Sequence, residues 1–313
     1  MKGIKRAVVT GPTGTIGLAL VKKLMEENIE VYVVCRPNSD RANVLPVSPL
    51  LHRVDCDLTE ISRVPSMINK KCEAFFHLAW MGTRNRDNRM DMHLQEKNVA
   101  LALDSVDVAN ELNCYVYVGA GSQAEYGPID GIIHPDSPTN PVVGYGMAKL
   151  CAGQMTRCMC KQYGIRHIWP RIVSIYGEGD GDQTLINTVV NNLLKDNEPQ
   201  LTAGEQLWDY LYSGDAADAL YRMALYGKDG AVYVLGSGTA RPLRLYMEEI
   251  RDAIDPMSSL GIGKIPYLKN QVMHLEADIA SLKADTGWEP KTTFYDGIRK
   301  VIRYNSEKGW FII

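Results

Sequence analysis

Three glycines spaced three apart, in Thr10-Gly11-Pro12-Thr13-Gly14-Thr15-Ile16-Gly17, constrain this chain more than any other feature. Residues 6–10, with Ala7, Val8 and Val9, read as a buried strand. After the glycines, Ile16, Leu20, Val21 and Leu24 recur at helical spacing as far as Glu26, and residues 31–35 form a second β-branched strand. A chain that turns straight from strand into helix needs Gly11 for the sharp turn and Gly17 so that helix and strand pack closely. Gly14 leaves the backbone bare where a phosphate would approach the free N–H groups and dipole of a helix start. Glycines alone mark only a turn; their place between strand and helix points to a dinucleotide site.

The alternation continues. Residues 74–78 and 115–119 read as strands with helical patterns between and after them, which predicts an α/β, doubly wound parallel sheet covered by helices on both faces. From Gly177 the pattern loosens into helical stretches at 185–194 and 216–225 and a short strand at 231–235. We therefore expect residues 1–176 to bind the dinucleotide. Residues 177–313 should form mainly a smaller C-terminal substrate-binding lobe, with segments returning to the first unit. The cleft between them is the default ligand site. The tail around Phe294, Ile298 and Ile302 is amphipathic and is expected to pack on the core.

A net charge of −3 gives no reason to expect nucleic acid. A local basic cluster, Arg84, Arg86 and Arg89, is interrupted by Asp87 and Asp91 and reads as a solvated loop or helix face in preference to an anion site. No apolar run approaches the roughly 20 residues that span a bilayer, and the N-terminal residues enter a strand without a signal-like segment. The seven cysteines are odd in number and include no Cys-x-x-Cys pair, so neither a zinc site nor a disulfide framework is indicated. Reduced thiols point to a cytoplasmic protein.

The end of the second strand should read the adenosine ribose: an acid there suits NAD, an arginine the 2′-phosphate of NADP. Cys35-Arg36 stands there, with Arg41 beyond, so NADP(H) is favoured and NAD(H) is the alternative. Asp57 either meets the adenine amino group or caps a helix. Thr13, Thr15, Ile16 and Leu58 complete the local cofactor set. Tyr145 and Lys149 lie four apart on a predicted helix and share one face. A neighbouring ammonium, with the positive ring of an oxidised nicotinamide, would lower the phenol from its usual value near 10. Ser122, just after a strand, would hydrogen-bond the same substrate oxygen. The three then form a proton relay for hydride transfer at a carbinol or carbonyl carbon.

With these residues in view, the chain resembles the extended short-chain dehydrogenases, specifically the nucleotide-sugar epimerase, dehydratase and reductase family. The resemblance runs nearly end to end. It is carried by residues 10–17, His77-Leu78-Ala79, 122–127, 145–149, Pro170-Arg171 through Tyr176-Gly177, and Asp209-Tyr210-Leu211-Tyr212. Two late segments, Gly236-Ser237-Gly238 and Thr286-Gly287-Trp288-Glu289-Pro290, extend it.

The resemblance implies a Rossmann sheet and a Ser122, Tyr145 and Lys149 catalytic triad. Leu78 and Ala79 would line the cofactor, with Pro170 and the residues after Arg171 over the nicotinamide. Thr83, Ser122, Gln123, Tyr145 and Trp208 would meet a nucleotide-sugar substrate, with chemistry through a ketone at C4 of the hexose. Homodimerisation through a pair of helices is common in the family; the helix from Tyr145, with Leu150, Met155 and Met159, could serve it or the core.

Two departures narrow the reaction. Dehydratases of this family carry an Asp-Glu pair directly after the serine or threonine, but Gln123-Ala124 stand here, with Glu125 one place late. Trp208 replaces a nucleotide-contacting arginine, and either stacks on a base or packs in the core. Three readings remain: an NADPH-dependent reductase of a 4-keto-deoxysugar nucleotide, an NAD-dependent epimerase, and a non-catalytic NADP-binding regulator.

Overall fold

Apolar strands buried on both faces produce the predicted sheet. The computed structural model describes residues 3–83, 85–269 and 271–310; Met1, Lys2 and Arg84 of the segments discussed above lie outside them. Eight strands make the main sheet: β1 (Arg6–Thr10), β2 (Glu30–Cys35), β3 (Leu51–Asp55), β4 (Ala74–His77), β5 (Val116–Gly119), β6 (Arg166–Ile172), β7 (Ala231–Leu235) and the two-residue strand Gly121–Ser122, which adds to β6 off the main path. Their order is β7-β6-β5-β4-β1-β2-β3, and every pairing is parallel. The larger helices are α1 (Thr15–Glu26), α2 (Met92–Glu111), α3 (Gly144–Tyr163), α4 (Leu185–Leu193), α5 (Ser213–Tyr226), α6 (Leu243–Ile254) and α7 (Phe294–Trp310).

The period of two along β1 sends Ala7 and Val9 to one face and Val8 to the other. The first face buries Val31, Val33, Phe76 and Val118 beneath α1 and α5, through Leu20, Leu24, Leu220 and Met223. The opposite face buries Tyr32, Val34, Phe75 and Tyr117 against Val106 of α2 and Cys160 of α3. A second core joins α4, α6 and α7 through Val189, Met247, Ile250, Phe294 and Ile298, which gives the amphipathic tail its partner.

Two carboxylates explain why the late motifs are needed. Asp209 is fully buried and accepts hydrogen bonds from the N–H groups of Ser237, Gly238 and Ala277 at 2.7, 3.0 and 3.1 Å. Asp215 accepts from the N–H groups of Lys291 and Thr292, while its carbonyl takes the Trp288 indole N–H at 3.1 Å. Each ties a distant segment to the sheet end that carries the cleft.

On the α2–α3 side of the sheet the rings of Trp169, His167, Tyr117 and His77 stack in series, with centroids 5.8, 5.8 and 6.4 Å apart. Both histidines are buried; Thr10 Oγ1 meets His77 Nδ1 at 3.1 Å and Thr156 Oγ1 meets His167 Nε2 at 3.0 Å. Burial, with the Lys149 charge added, pushes His77 down to about 3, and burial pushes His167 down to about 4. The unfolded chain therefore takes up protons near pH 6.5 that the folded chain declines until pH 3–4, so stability rises with pH across that window and is lost on acidification. His167→Gln should flatten the slope of urea-derived stability between about pH 6 and 4.5 by about 1.4 kcal/mol per pH unit. An unchanged slope would show that His167 does not titrate as its burial requires.

Candidate active site

The sheet order reverses between β1 and β4, and a crevice opens outside the carboxyl ends of those strands. The glycine turn lies in it. Gly11 has φ +70°, and a Cβ there would stand 2.8 Å from the Ala79 nitrogen. A Cβ on Gly17 would lie 2.1 Å from the Gly11 carbonyl oxygen, so the helix can approach the strand only with glycine. Gly14 differs: it caps α1 without a side chain, and a Cβ would meet only the Gly11 oxygen, at 3.6 Å. The protein itself leaves that space open above a helix N-terminus, which is the cradle that a pyrophosphate fits.

Two cavities flank the turn. One of about 490 Å³ is lined by Gly11, Thr13, Arg36, Asp57, Leu58 and Ala79, among others. Arg36 is exposed at its edge, at the end of β2, where an adenosine ribose would lie. Arg41 braces the turn, donating to the Thr13 carbonyl at 3.1 Å. Asp57 caps a short helix, its Oδ1 accepting from the Thr59 N–H and hydroxyl at 3.0 and 2.8 Å, and it lines the cavity as well.

The other cavity, of about 360 Å³, brings together Gly14, Thr15, Ile16, Gly17, Leu78, Thr83, Ser122, Gln123, Tyr145 and Lys149. Ser122 ends a two-residue strand, Gly121–Ser122, that pairs with Arg171 and Ile172 of β6. Its Oγ accepts from the Ala124 N–H at 3.2 Å and it is hydrogen-bonded to Tyr145. Tyr145 and Lys149 occupy the first turns of α3. The buried Lys149 Nζ donates to the Ala120 carbonyl at 2.6 Å and sits 3.7 Å from the centre of the Trp80 ring. Burial pushes it down to about 7, against the opposing pull of Glu125.

Tyr145 departs from expectation. Burial raises its phenol, while the Ser122 hydrogen bond and the Arg89 charge work to lower it. Lys149 donates to Ala120 and faces Trp80, and its Nζ also stands 5.9 Å from the centre of the Tyr145 ring.

Glu125 is not a free acid. It is fully buried, and its Oε1 accepts from the Ser122 N–H at 2.8 Å and the Trp169 indole N–H at 3.0 Å. Its Oε2 accepts from Arg171 Nε at 2.7 Å.

Two residues of the expected site lie outside these two cavities. Pro170 is buried inside β6 opposite Tyr233, and the cleft wall from this strand begins only at Ile172. Trp208 donates its indole N–H to Ser174 Oγ at 2.9 Å and lines a separate apolar cavity of about 320 Å³ with Leu201, Tyr210 and Met247. Trp80 and Arg89 are among the cleft residues that the sequence did not point to. Both line the Tyr145 cavity, although Arg89 reads as part of a solvated face. Its five-residue helix, Arg86–Met90, is too short to carry a periodic signal.

Comparison with known proteins accords with this architecture. The model of the NAD dependent epimerase/dehydratase family matches residues 7–236, well over half of the chain. The chain is an enzyme of that family. It is 25% identical to a dTDP-4-dehydro-6-deoxyglucose reductase of Escherichia coli, covering 95% of this chain and 96% of that one. A dTDP-glucose 4,6-dehydratase of Salmonella typhimurium is 23% identical, covering 96% and 92%. The fold matches that of UDP-N-acetylglucosamine 4-epimerase from Methanobrevibacter ruminantium M1, solved with UDP-N-acetylmuramic acid, at a TM-score of 0.86 and 19% identity, covering 98% of this chain and all of that one. Among the described residues no helix is long and apolar enough to cross a membrane.

Because Glu125 joins three donors inside the protein, Glu125→Ala should lower the unfolding free energy by about 3–5 kcal/mol in urea titrations. Tyr145→Phe should stay within about 1 kcal/mol of the parent. A Glu125→Ala loss no larger than that of Tyr145→Phe would contradict the structural role of Glu125.

Proposed function

We propose that this enzyme reduces the ketone of a 4-keto-deoxysugar nucleotide with NADPH. The observation that carries the reading is Arg36, exposed at the edge of the ribose end of the larger cavity with no carboxylate at the end of β2. A guanidinium there suits a 2′-phosphate, where an acid would suit two ribose hydroxyls. Gly11, Gly14 and Gly17 would cradle the pyrophosphate, and Leu78, Ala79 and Ile172 would flank the nicotinamide. When bound, the reduced nicotinamide supplies the hydride.

This chain's own residues supply the rest. Tyr145 gives its phenolic proton to the carbonyl oxygen as the carbon becomes a carbinol, and solvent later returns a proton to the tyrosinate. Ser122 holds the same oxygen by a hydrogen bond. Lys149 fixes the cleft floor through Ala120 and Trp80. Elimination is disfavoured because Glu125, the one acid next to Ser122, is committed to Ser122, Trp169 and Arg171. The apolar cavity beneath Trp208 is the proposed seat of the nucleotide base, by stacking and burial.

The reductase should leave purification without tightly held NAD and should oxidise NADPH in the presence of a 4-keto nucleotide sugar. Tightly retained NAD, with no NADPH consumed on any such sugar, would favour the epimerase reading. Arg36→Ala should weaken NADPH binding by about tenfold to a hundredfold in fluorescence titrations while barely altering NADH. Equal losses for both dinucleotides would remove Arg36 from cofactor choice. Tyr145→Phe should abolish turnover and leave dinucleotide binding nearly intact; full turnover would remove Tyr145 from the mechanism.

A further inference from the structure

The cleft holds a second cation that the resemblance does not supply. Arg89 lies on the short helix Arg86–Met90, which Asn85 caps by accepting from the Asp87 N–H at 2.7 Å. Gln95 ties that helix down: its Nε2 donates to the Asn88 carbonyl at 2.8 Å, and its Oε1 accepts the Trp80 indole N–H at 2.8 Å. Gly144, the first residue of α3, lets the helix come close. A Cβ on it would stand 2.8 Å from Met92 Sδ and 3.3 Å from the Arg89 carbonyl oxygen. The result is that the Arg89 guanidinium carbon lies 4.4 Å from the centre of the Tyr145 ring.

The Asp91 carboxylate accepts from the His93 and Leu94 N–H groups at 3.0 and 3.1 Å, and among the described residues no carboxylate forms a salt bridge with Arg89. The groups that face Tyr145 can be weighed by position. Ser122 hydrogen-bonds the phenol, and the buried Glu125 carboxylate opposes its ionisation. Lys149 Nζ is 5.9 Å from the ring centre and is held by Ala120 and Trp80. Arg89 is the nearer cation, and it lies over the ring. A guanidinium on an aromatic face attracts the neutral ring and attracts the phenolate more strongly, because an opposite charge favours the ionised form.

We propose that Arg89 is a positioning residue that acts through Tyr145: stacked on the phenol, it fixes the ring and stabilises the tyrosinate left behind when the proton is transferred. This rests on the proton-donor role proposed for Tyr145. It gives the short helix Arg86–Met90 and the bare start of α3 at Gly144 a shared purpose, namely to bring a cation to the one phenol that must change charge.

The test needs no substrate. The full chain is labelled with 3-fluorotyrosine, which ionises at lower pH than tyrosine, and the ¹⁹F resonance missing from Tyr145→Phe is assigned to Tyr145. Its midpoint is then followed with pH. Arg89→Gln should raise the midpoint by roughly 0.5–1.5 pH units. Arg89→Lys, which keeps the charge, should recover part of that shift, and Arg86→Gln, on the same helix, should leave the midpoint in place. An unchanged midpoint in Arg89→Gln overturns the proposal. So does an equal shift in Arg86→Gln, which would mean diffuse charge rather than stacking, or an Arg89→Lys midpoint no lower than that of Arg89→Gln. Full turnover by Tyr145→Phe would instead sink the role of Tyr145, so the two failures are read by separate measurements.

Discussion

A single carboxylate organises the reactive end of the sheet. Glu125 accepts hydrogen bonds from Ser122, Trp169 and Arg171, and so joins the short strand Gly121–Ser122 to β6. Trp169, held by that carboxylate, fills a space that three glycines vacate. A Cβ on Gly119, Gly121 or Gly153 would stand 2.4, 2.5 or 2.7 Å from a Trp169 atom. Two of these glycines precede Ser122, and the third lies on α3 one turn beyond Lys149. The indole thus sets the distance between the serine strand and the helix of Tyr145 and Lys149. Burying an ion pair is costly on its own account, and here its return is geometry: every donor that Glu125 satisfies belongs to an element that frames the cleft.

The parts of this design that depend on local chemistry were legible in the sequence. The strand-turn-helix at Gly11 to Gly17 announces itself because φ, steric clearance and helix start all act within eight residues. The apolar and β-branched runs of β1 and β2, and the 3.6 period of α1, give element types with ends displaced by a residue or so. Ser122, Tyr145 and Lys149 meet in one cavity because strand ends and the first turns of a helix are places that a pattern can name.

What was not legible depends on the third dimension. Glu125 reads as an acid displaced by one position, and only its burial among Ser122, Trp169 and Arg171 makes it structural. Arg89 reads as solvated because Asp87 and Asp91 flank it, yet a short helix aims it away from both and onto Tyr145. Pro170 belongs to a recognisable segment, but its place two residues before the end of β6 keeps it inside the sheet. For Trp208 two readings were open, and the structure shows the packing: the indole donates to Ser174, joins the second core and walls an apolar cavity.

The two cations of the cleft divide their work by burial. Lys149 is nearly enclosed, and its low affinity for a proton follows from the water it has lost. An ammonium in that position is held by directional contacts, a carbonyl oxygen and an indole face, and so serves best as a fixed strut. Arg89 presents a planar, delocalised guanidinium, which suits the face of a ring better than a compact ammonium does. In the proposed reaction, a guanidinium over the Tyr145 ring would favour the tyrosinate whether or not Lys149 is protonated.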